Sequence, residues 1–519
     1  MTSQARVAIL VLGSSIALAA GAATPAQSTD WHADIAQIEQ AYAAHAYTPH
    51  AVTDYFLQRI HDVDQSGPAL HAIIEINPDA LSIADKLDAE KRSGALFGIS
   101  VVVKDNLDTA DRMQTTAGSL AMVGQAASQD STVVAKLRTA GAVLLAKTNL
   151  SEWANYRSTH STSGWSGRGG LTLNPYALDR NACGSSSGSA VAVAAGLATV
   201  AIGTETDGSI VCPAAVNGVV GIKPTVGLVS RAGIVPISHS QDTAGPIARS
   251  VADAARVLSV IAGSDPRDPA TAQADAHKTD YTRFLDTNAL KGKRIGVVRK
   301  LAGYDPGTDR VLDDAIAALR RAGATVIDKV TIPHLNDYGD AENTVLSYEF
   351  KNDLNKYLAT RKGLPVHTLA DLIAWNKSHA DQELPWFGQE LFEQSEKRGP
   401  LTEKKYLDAL AKCRKLAGPG IDAALRKDHL DALLAPTNGP AWTNDLVNGD
   451  HVTGGSSSPA AVAGYPDITV PAGFVHGLPV GVSFFAGKWS EPTLIGIAYA
   501  FEQATHARKD PEFRATVTK

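Results

Sequence analysis

The chain has only three cysteines in 519 residues, Cys183, Cys212 and Cys413. An odd number without C-x-x-C or metal-type spacing excludes a disulfide-built scaffold. They read as small buried thiols, although an oxidising compartment would allow Cys183 and Cys212 to pair. The 15 histidines form no H-E-x-x-H pattern and no acidic loop has calcium-site spacing, so neither a metal nor a cofactor is expected. Long runs of one charge are also missing. Lys plus Arg number 48 against 54 Asp plus Glu, a net charge of −6, and the basic face of a nucleic-acid binder is not visible. No repeat or low-complexity tract occurs after the N-terminal stretch. With 44% hydrophobic and 20% charged residues, disorder and collagen-like structure are excluded and a sizeable core is available.

One apolar stretch does stand out. Arg6 precedes Val7 to Ala23, which ends in small residues, with Ala20-Gly21-Ala22 fitting an A-x-A cleavage site. This reads as a secretory signal peptide over residues 1–22, with cleavage as late as residue 26. A membrane anchor is the alternative, but Gly13, Ser14 and Ser15 interrupt the stretch, which falls short of the ~20 apolar residues of a span. No second such stretch follows. The mature protein is expected to be periplasmic or secreted, without stable membrane association.

Beyond this leader, residues 31–94 carry apolar residues at helical spacing (Ile35, Ile38, Tyr42; Val52, Tyr55, Phe56, Ile60), with Thr48 and Pro49 as a helix start. Strand-like runs at residues 99–103, 142–146 and 199–202 alternate with helical patterns at 131–140 and 189–197. The same grammar returns as strand 294–298, helix 309–322 and strand 325–332. A Lys-, Glu- and Leu-rich helical stretch then occupies about 340–426, followed by strands at 431–435, 468–470 and 480–485 and a helix at 491–505. Alternation of this kind predicts an α/β fold, with a mixed, largely parallel central sheet covered by helices on both faces. No linker-like boundary is visible. One domain over 30–510 is expected, with a core at about 95–255 and a helical lobe at about 335–428.

Three segments place reactive side chains beside glycine. In GISVVVKDNLDTA (98–110), period two sends Val102 and Lys104 to one side of a strand and Val101, Val103 and Asp105 to the other. Lys104 is either a snorkelling or paired lysine, or, in a dry site, an uncharged base. In CGSSSGSAVAVAAG (183–196) a Ser/Gly turn opens onto an Ala/Val helix. It could cap or bind an anion, serve as a G-x-S-x-G elbow with Ser186 as nucleophile, or supply a hydroxyl relay to another nucleophile. In GTETDGSIVCPAAVNGVVGIKPTVG (203–227) an apolar run ends in an Asp-Gly turn. Such a turn is either only a turn, or one that aims several N–H groups at a point beside Ser209.

Taken together, Lys104 in VKDN, Ser185 in CGSSSG and Ser209 in TETDGSI, at intervals of 81 and 24 residues, resemble the Ser-cisSer-Lys triad of the amidase signature family. The resemblance extends over TTAGSLA, GAVLLAKTNLSEWAN, the segment from Gly218 to Ala254, and AAVAGYPDITVP and GLPVGVSF, nearly the whole mature chain. The strings SEWAN, CGSSSGSAVAVAA and GTETDGSIVCPAA are similar to the family's bacterial peptide amidase branch, which hydrolyses C-terminal carboxamides of peptides.

The resemblance implies that Ser209 attacks the amide carbonyl, that Ser185 relays its proton across a cis Gly184-Ser185 peptide, and that neutral Lys104 is the base. It places the oxyanion on backbone N–H groups around Thr206, Asp207, Gly208 and Ser209. The segment 158–170, with Ser158, Thr159 and Trp165, would border the acyl side of the pocket, or form a surface loop. A small-molecule or short peptide amide is the implied substrate, with no obligate protein partner. The turn Cys183-Gly184-Ser185-Ser186-Ser187-Gly188 departs from the commoner GGSSGG, Val211 stands where many members have Arg, and Ser100 replaces a frequent proline. An acylamidase acting on aryl or other small amides is the alternative within the family. Outside it stand an α/β-hydrolase esterase using Ser186 and a periplasmic binding protein without catalysis.

Overall fold

The computed structural model describes residues 32–90 and 92–517, so the stretch read as a signal peptide lies outside the described residues. In chain order the strands are β1 (Ile73–Ile76), β2 (Ser100–Lys104), β3 (Val143–Thr148), β4 (Trp165–Ser166), β5 (Gly170–Leu171), β6 (Val200–Glu205), β7 (Val220–Lys223), β8 (Thr243–Ala248), β9 (Arg294–Val297), β10 (Thr325–Ile327), β11 (Ala432–Pro436), β12 (Asp467–Val475) and β13 (Leu478–Phe485). β4 and β5 form a small separate ribbon. The others make one 11-stranded sheet in the order β1-β3-β2-β6-β8-β7-β12-β13-β11-β9-β10. Parallel pairing holds β3-β2-β6 and β11-β9-β10, and the pairs between these two groups are antiparallel.

β2 and β3 are Val- and Leu-rich and buried along their whole length, as strands covered on both faces must be. The helix Ser187–Ala194 has no polar face and is buried on every side, which places it in the core. Gly188 brings it onto the end of β3, since a Cβ there would come within 2.3 Å of the Ala72 carbonyl and 2.7 Å of the Asn149 nitrogen. The helix after Thr48 runs Pro49–Arg59, with the Thr48 side chain accepting from the Ala51 N–H, and the last helix is Glu491–Thr505, as its spacing predicts.

Two expectations change. The N-terminal region is not helical throughout, because the four-residue run Ile73–Ile76 joins the sheet as edge strand β1 beside β3. The strand expected over 325–332 stops at Ile327, where Asp328 and Lys329 (φ 64°) turn the chain away.

The stretch after Tyr338 folds into helices Gly339–Thr360, Leu369–Ser378, Ala380–Glu383, Glu390–Glu396 and Lys404–Lys427. Their apolar faces gather Phe350, Leu354, Leu358 and Phe392 around Trp153 and Met122 of the preceding core. A buried charge crosses the same junction. Arg157, fully buried, donates to the Glu152 carboxylate and to the Glu383 carbonyl, and lies over the rings of Trp165 and Phe387. Burial and the neighbouring Glu383 push the Glu152 carboxyl well up, against the pull of Arg157.

Removing one partner of such a group leaves the others buried and uncompensated. Arg157→Met is expected to lower stability by about 3–5 kcal/mol, read from denaturant unfolding. Adding Glu152→Gln and Glu383→Gln should return part of the loss. A single variant as stable as wild type would refute the role given to this charge.

Candidate active site

The three segments singled out in the sequence meet at the ends of β2 and β6. Lys104, the last residue of β2, is fully buried on the side facing the Ser/Gly turn, while Asp105 faces the other way toward Thr116. Its Nζ lies 2.7 Å from Ser185 Oγ, 3.1 Å from Ser186 Oγ, 2.9 Å from Thr204 Oγ1 and 3.3 Å from the Thr204 carbonyl. Thr204 Oγ1 also accepts from Asn106 Nδ2 at 2.9 Å. Burial brings the Lys104 amine from its usual value down to about 7, opposed by the negative charges of Asp242 and Glu205. Near neutral pH a large share of this amine therefore carries no proton.

The Gly184–Ser185 peptide is cis. Gly184 sits so tightly that a Cβ would fall 2.0 Å from Ser151 Oγ. The two serines that follow differ in kind. Ser186 is fully buried, donates to the Thr204 carbonyl at 3.0 Å and accepts from the Thr204 N–H at 3.2 Å. It is thus tied to β6 and to Lys104 and closed off from solvent, unlike the exposed hydroxyl of an esterase elbow. Ser185 presents its hydroxyl to Lys104.

Ser209 is next to this turn: its carbonyl accepts from the Ser186 N–H at 3.1 Å. Its own hydroxyl makes no hydrogen bond among the described residues, including none to Ser185. The loop from Thr206 to Ser209 is held from outside. Glu205 closes it by accepting from the N–H groups of Ile210 and Val211 at 2.7 and 3.0 Å. Thr206 donates to Asp242 at 2.6 Å, and Asp207 accepts from Ser457 and Ser458 at 2.5 and 2.6 Å. Gly208 takes φ 82°, and its carbonyl accepts from Cys212 N–H at 2.8 Å. Among the described residues, the N–H groups of Asp207, Gly208 and Ser209 donate to no protein acceptor. A turn with its carbonyls and side chains tied back and successive N–H groups left over can receive a developing oxyanion.

A cleft of about 180 Å³ opens beside Thr204, lined in part by Asn106, Ala154, Thr206, Ile234, Ile237 and Asp242. Ser158, Thr159 and Trp165 lie at the junction with the helices instead. Ser158 Oγ and the Thr159 N–H and hydroxyl all bond Glu390, and Trp165 packs edge-on against Phe387. No hydrogen bond among the described residues joins these three to Lys104, Ser185 or Ser209.

The cysteine reading needs correction. Cys183 and Cys212 form a disulfide, while Cys413 is the buried free thiol among the described residues. The fold places their Cα atoms 6.1 Å apart, within disulfide reach, because one precedes the Ser185 turn and the other follows the Ser209 turn. His239, Glu349 and Asp353 bring ligand atoms within 4.8 Å of one another. The imidazole bonds Asp353, and Glu349 is taken up by Ser238, Ser240 and Tyr406. Asp242, Gln241, Glu342, Ser457 and Ser458 were not singled out in the sequence. Gln241 and Asp242 lie in the segment of resemblance from Gly218 to Ala254, and Ser457 and Ser458 in the Gly/Ser run at residues 454–458, but neither string marks them individually.

The chain is also similar to known proteins. The family model described as Amidase matches residues 51–495. A solved native peptide amidase from Stenotrophomonas maltophilia is 52% identical, with a TM-score of 0.89 covering 93% of this chain and 99% of that one. A solved amidase family protein from Bacillus anthracis is 38% identical, with a TM-score of 0.84 covering 93% of this chain and 92% of that one. A probable amidase of Arabidopsis thaliana is 42% identical over 98% of this chain and 97% of its own length.

Proposed function

The chain belongs to the amidase family and hydrolyses amide C–N bonds, and from that premise we propose that it removes the C-terminal carboxamide of peptides through Ser209, Ser185 and Lys104. The observation that carries this reading is the buried amine of Lys104 held 2.7 Å from Ser185 Oγ. A serine hydroxyl is a weak nucleophile without an adjacent base, and an amine brought to about 7 by burial is matched to that task at neutral pH.

In this mechanism Ser209 Oγ attacks the carboxamide carbon. Its proton passes to Ser185 as Ser185 gives its own to Lys104, and the carbonyl oxygen becomes an oxyanion among the N–H groups from Thr206 to Ser209. The C–N bond breaks as the proton returns along the relay to the nitrogen, which leaves as ammonia. Water then attacks the acyl ester by the same route, releasing a peptide carboxylate and free Ser209.

The likeness to a solved peptide amidase at 52% identity supports the choice of substrate. The cleft beside Thr204 would accept the residue that bears the carboxamide, with Ser158, Thr159 and Trp165 bordering the acyl side through the helical lobe. In this reading the chain acts alone, without a protein partner, and is exported by residues 1–22 to the periplasm or medium.

Release of ammonia from dipeptide carboxamides and fatty amides, and of the arylamine from aryl anilides, measured with the pure protein, tests the assignment. Dipeptide carboxamides are expected to exceed the others in kcat/KM by at least about tenfold. A preference for anilides would turn the assignment to an aryl acylamidase. Tight binding without ammonia or arylamine from any substrate would overturn the catalytic reading altogether.

A further inference from the structure

Gln241, in the loop before β8, is buried and has no part in the mechanism above. Its Nε2 donates both to the Thr206 carbonyl at 3.3 Å and to Glu342 Oε1 at 2.9 Å. Glu342 lies in the first turn of the helix Gly339–Thr360, so one amide group spans from the helical lobe to the loop that precedes Ser209.

The geometry of the peptide group gives this contact a consequence. The Thr206–Asp207 peptide is a rigid plane whose carbonyl and N–H point in opposite directions. A donor that holds the carbonyl therefore aims the Asp207 N–H the other way and polarises it. Two residues on, the Cys212 N–H holds the Gly208 carbonyl at 2.8 Å and so aims the Ser209 N–H. The first hold comes from a side chain and the second from the backbone, so the first can be removed without altering any backbone donor.

Gln241 is itself secured. Its second hydrogen goes to Glu342, whose carboxyl is pushed up by burial and by Asp207 beside it. A carboxyl in the neutral state can accept from Gln241 on one oxygen and donate to Asp207 from the other. Asp207 in turn accepts from Ser457 and Ser458.

We propose that Gln241 is a positioning residue of the oxyanion-binding turn, orienting the Asp207 N–H through the Thr206 carbonyl while Glu342 anchors the Gln241 amide from the lobe. The inference rests on Ser209 being the nucleophile, and its test separates the two. Gln241→Met keeps the bulk and removes both donors. It is expected to lower kcat by roughly thirtyfold, a step below the loss of a whole oxyanion donor, with KM changed less than about threefold.

A peptide aldehyde adds to a serine hydroxyl and develops the same oxyanion. Its inhibition constant should rise by the factor lost in kcat, while that of the non-covalent peptide carboxylate product stays put. A merely structural role would weaken both ligands together. Should Gln241→Met fail to fold, Glu342→Leu, which removes the anchor, is expected to lose several-fold in kcat and aldehyde affinity, and Glu342→Gln, which keeps an acceptor, to restore most of it. Wild-type kcat and aldehyde affinity in a folded Gln241→Met or Glu342→Leu protein would overturn the proposal. Activity retained by Ser209→Ala would instead overturn the reading on which it stands.

Discussion

Ser209→Ala is expected to lower kcat for carboxamide hydrolysis by roughly ten-thousandfold or more, with little change in KM or in melting temperature. The prediction is sharp because the side chain is isolated. Its hydroxyl bonds no described residue, so alanine leaves no donor or acceptor stranded, and the backbone contact with Ser186 does not depend on it.

Ser186→Ala provides the contrast. That hydroxyl bridges the N–H and carbonyl of Thr204, and its loss should cost about 1–3 kcal/mol of stability while turnover survives. Ammonia release and thermal melting of the two variants decide between them. An active Ser209→Ala enzyme beside a dead, well-folded Ser186→Ala enzyme would transfer the nucleophile to the elbow serine.

Lys104 should be nearly as sensitive, and its failure should depend on pH. Only the unprotonated amine can accept from Ser185. With the native amine at about 7, kcat/KM is expected to fall about tenfold per pH unit on the acid side of that value. Lys104→Arg should be inactive at every pH from 5 to 9, since a guanidinium does not deprotonate in this range.

The same shift has a signature in stability. Unfolded, the lysine holds its proton up to ~10.4; folded, it releases it near 7. Across that window the unfolded chain binds the extra proton, so the native state gains stability as pH rises, and the full cost of burying the charge is felt below 7. Relative to Lys104→Met, the melting temperature of the wild type should climb between pH 7 and 9. A flat acid limb together with a constant melting difference would remove the uncharged lysine from the mechanism.

The groups that carry chemistry were legible because each announces itself locally. Lys104 ends a β-branched run, Ser185 lies in a Ser/Gly turn before an Ala/Val helix, and Ser209 follows Asp-Gly at the end of another run. Strands such as β2 and β3 were visible for the same reason, being short and apolar throughout. What escaped was assembled by tertiary folding. Asp242 reaches Thr206 across 36 residues, Glu342 reaches Gln241 across 101, and Ser457 reaches Asp207 across 250. A polar residue that acts by holding a distant backbone group has no periodicity to reveal it. β7 and β8, with Gly221, Gly245 and Pro246 inside them, lack the uniform apolar run that marks a strand. The pairing of Cys183 with Cys212 was undecidable from a spacing of 29 residues, since only the approach of the two turns brings the sulfurs together.

That bridge makes the surroundings in which the chain matures part of its chemistry. A host cytosol rich in glutathione would deliver the two halves of the catalytic centre joined by hydrogen bonds and packing alone, whereas an electron-poor compartment would rivet them covalently before any substrate arrives. Preparations from the two sources would share one gene and differ in the molecule assayed.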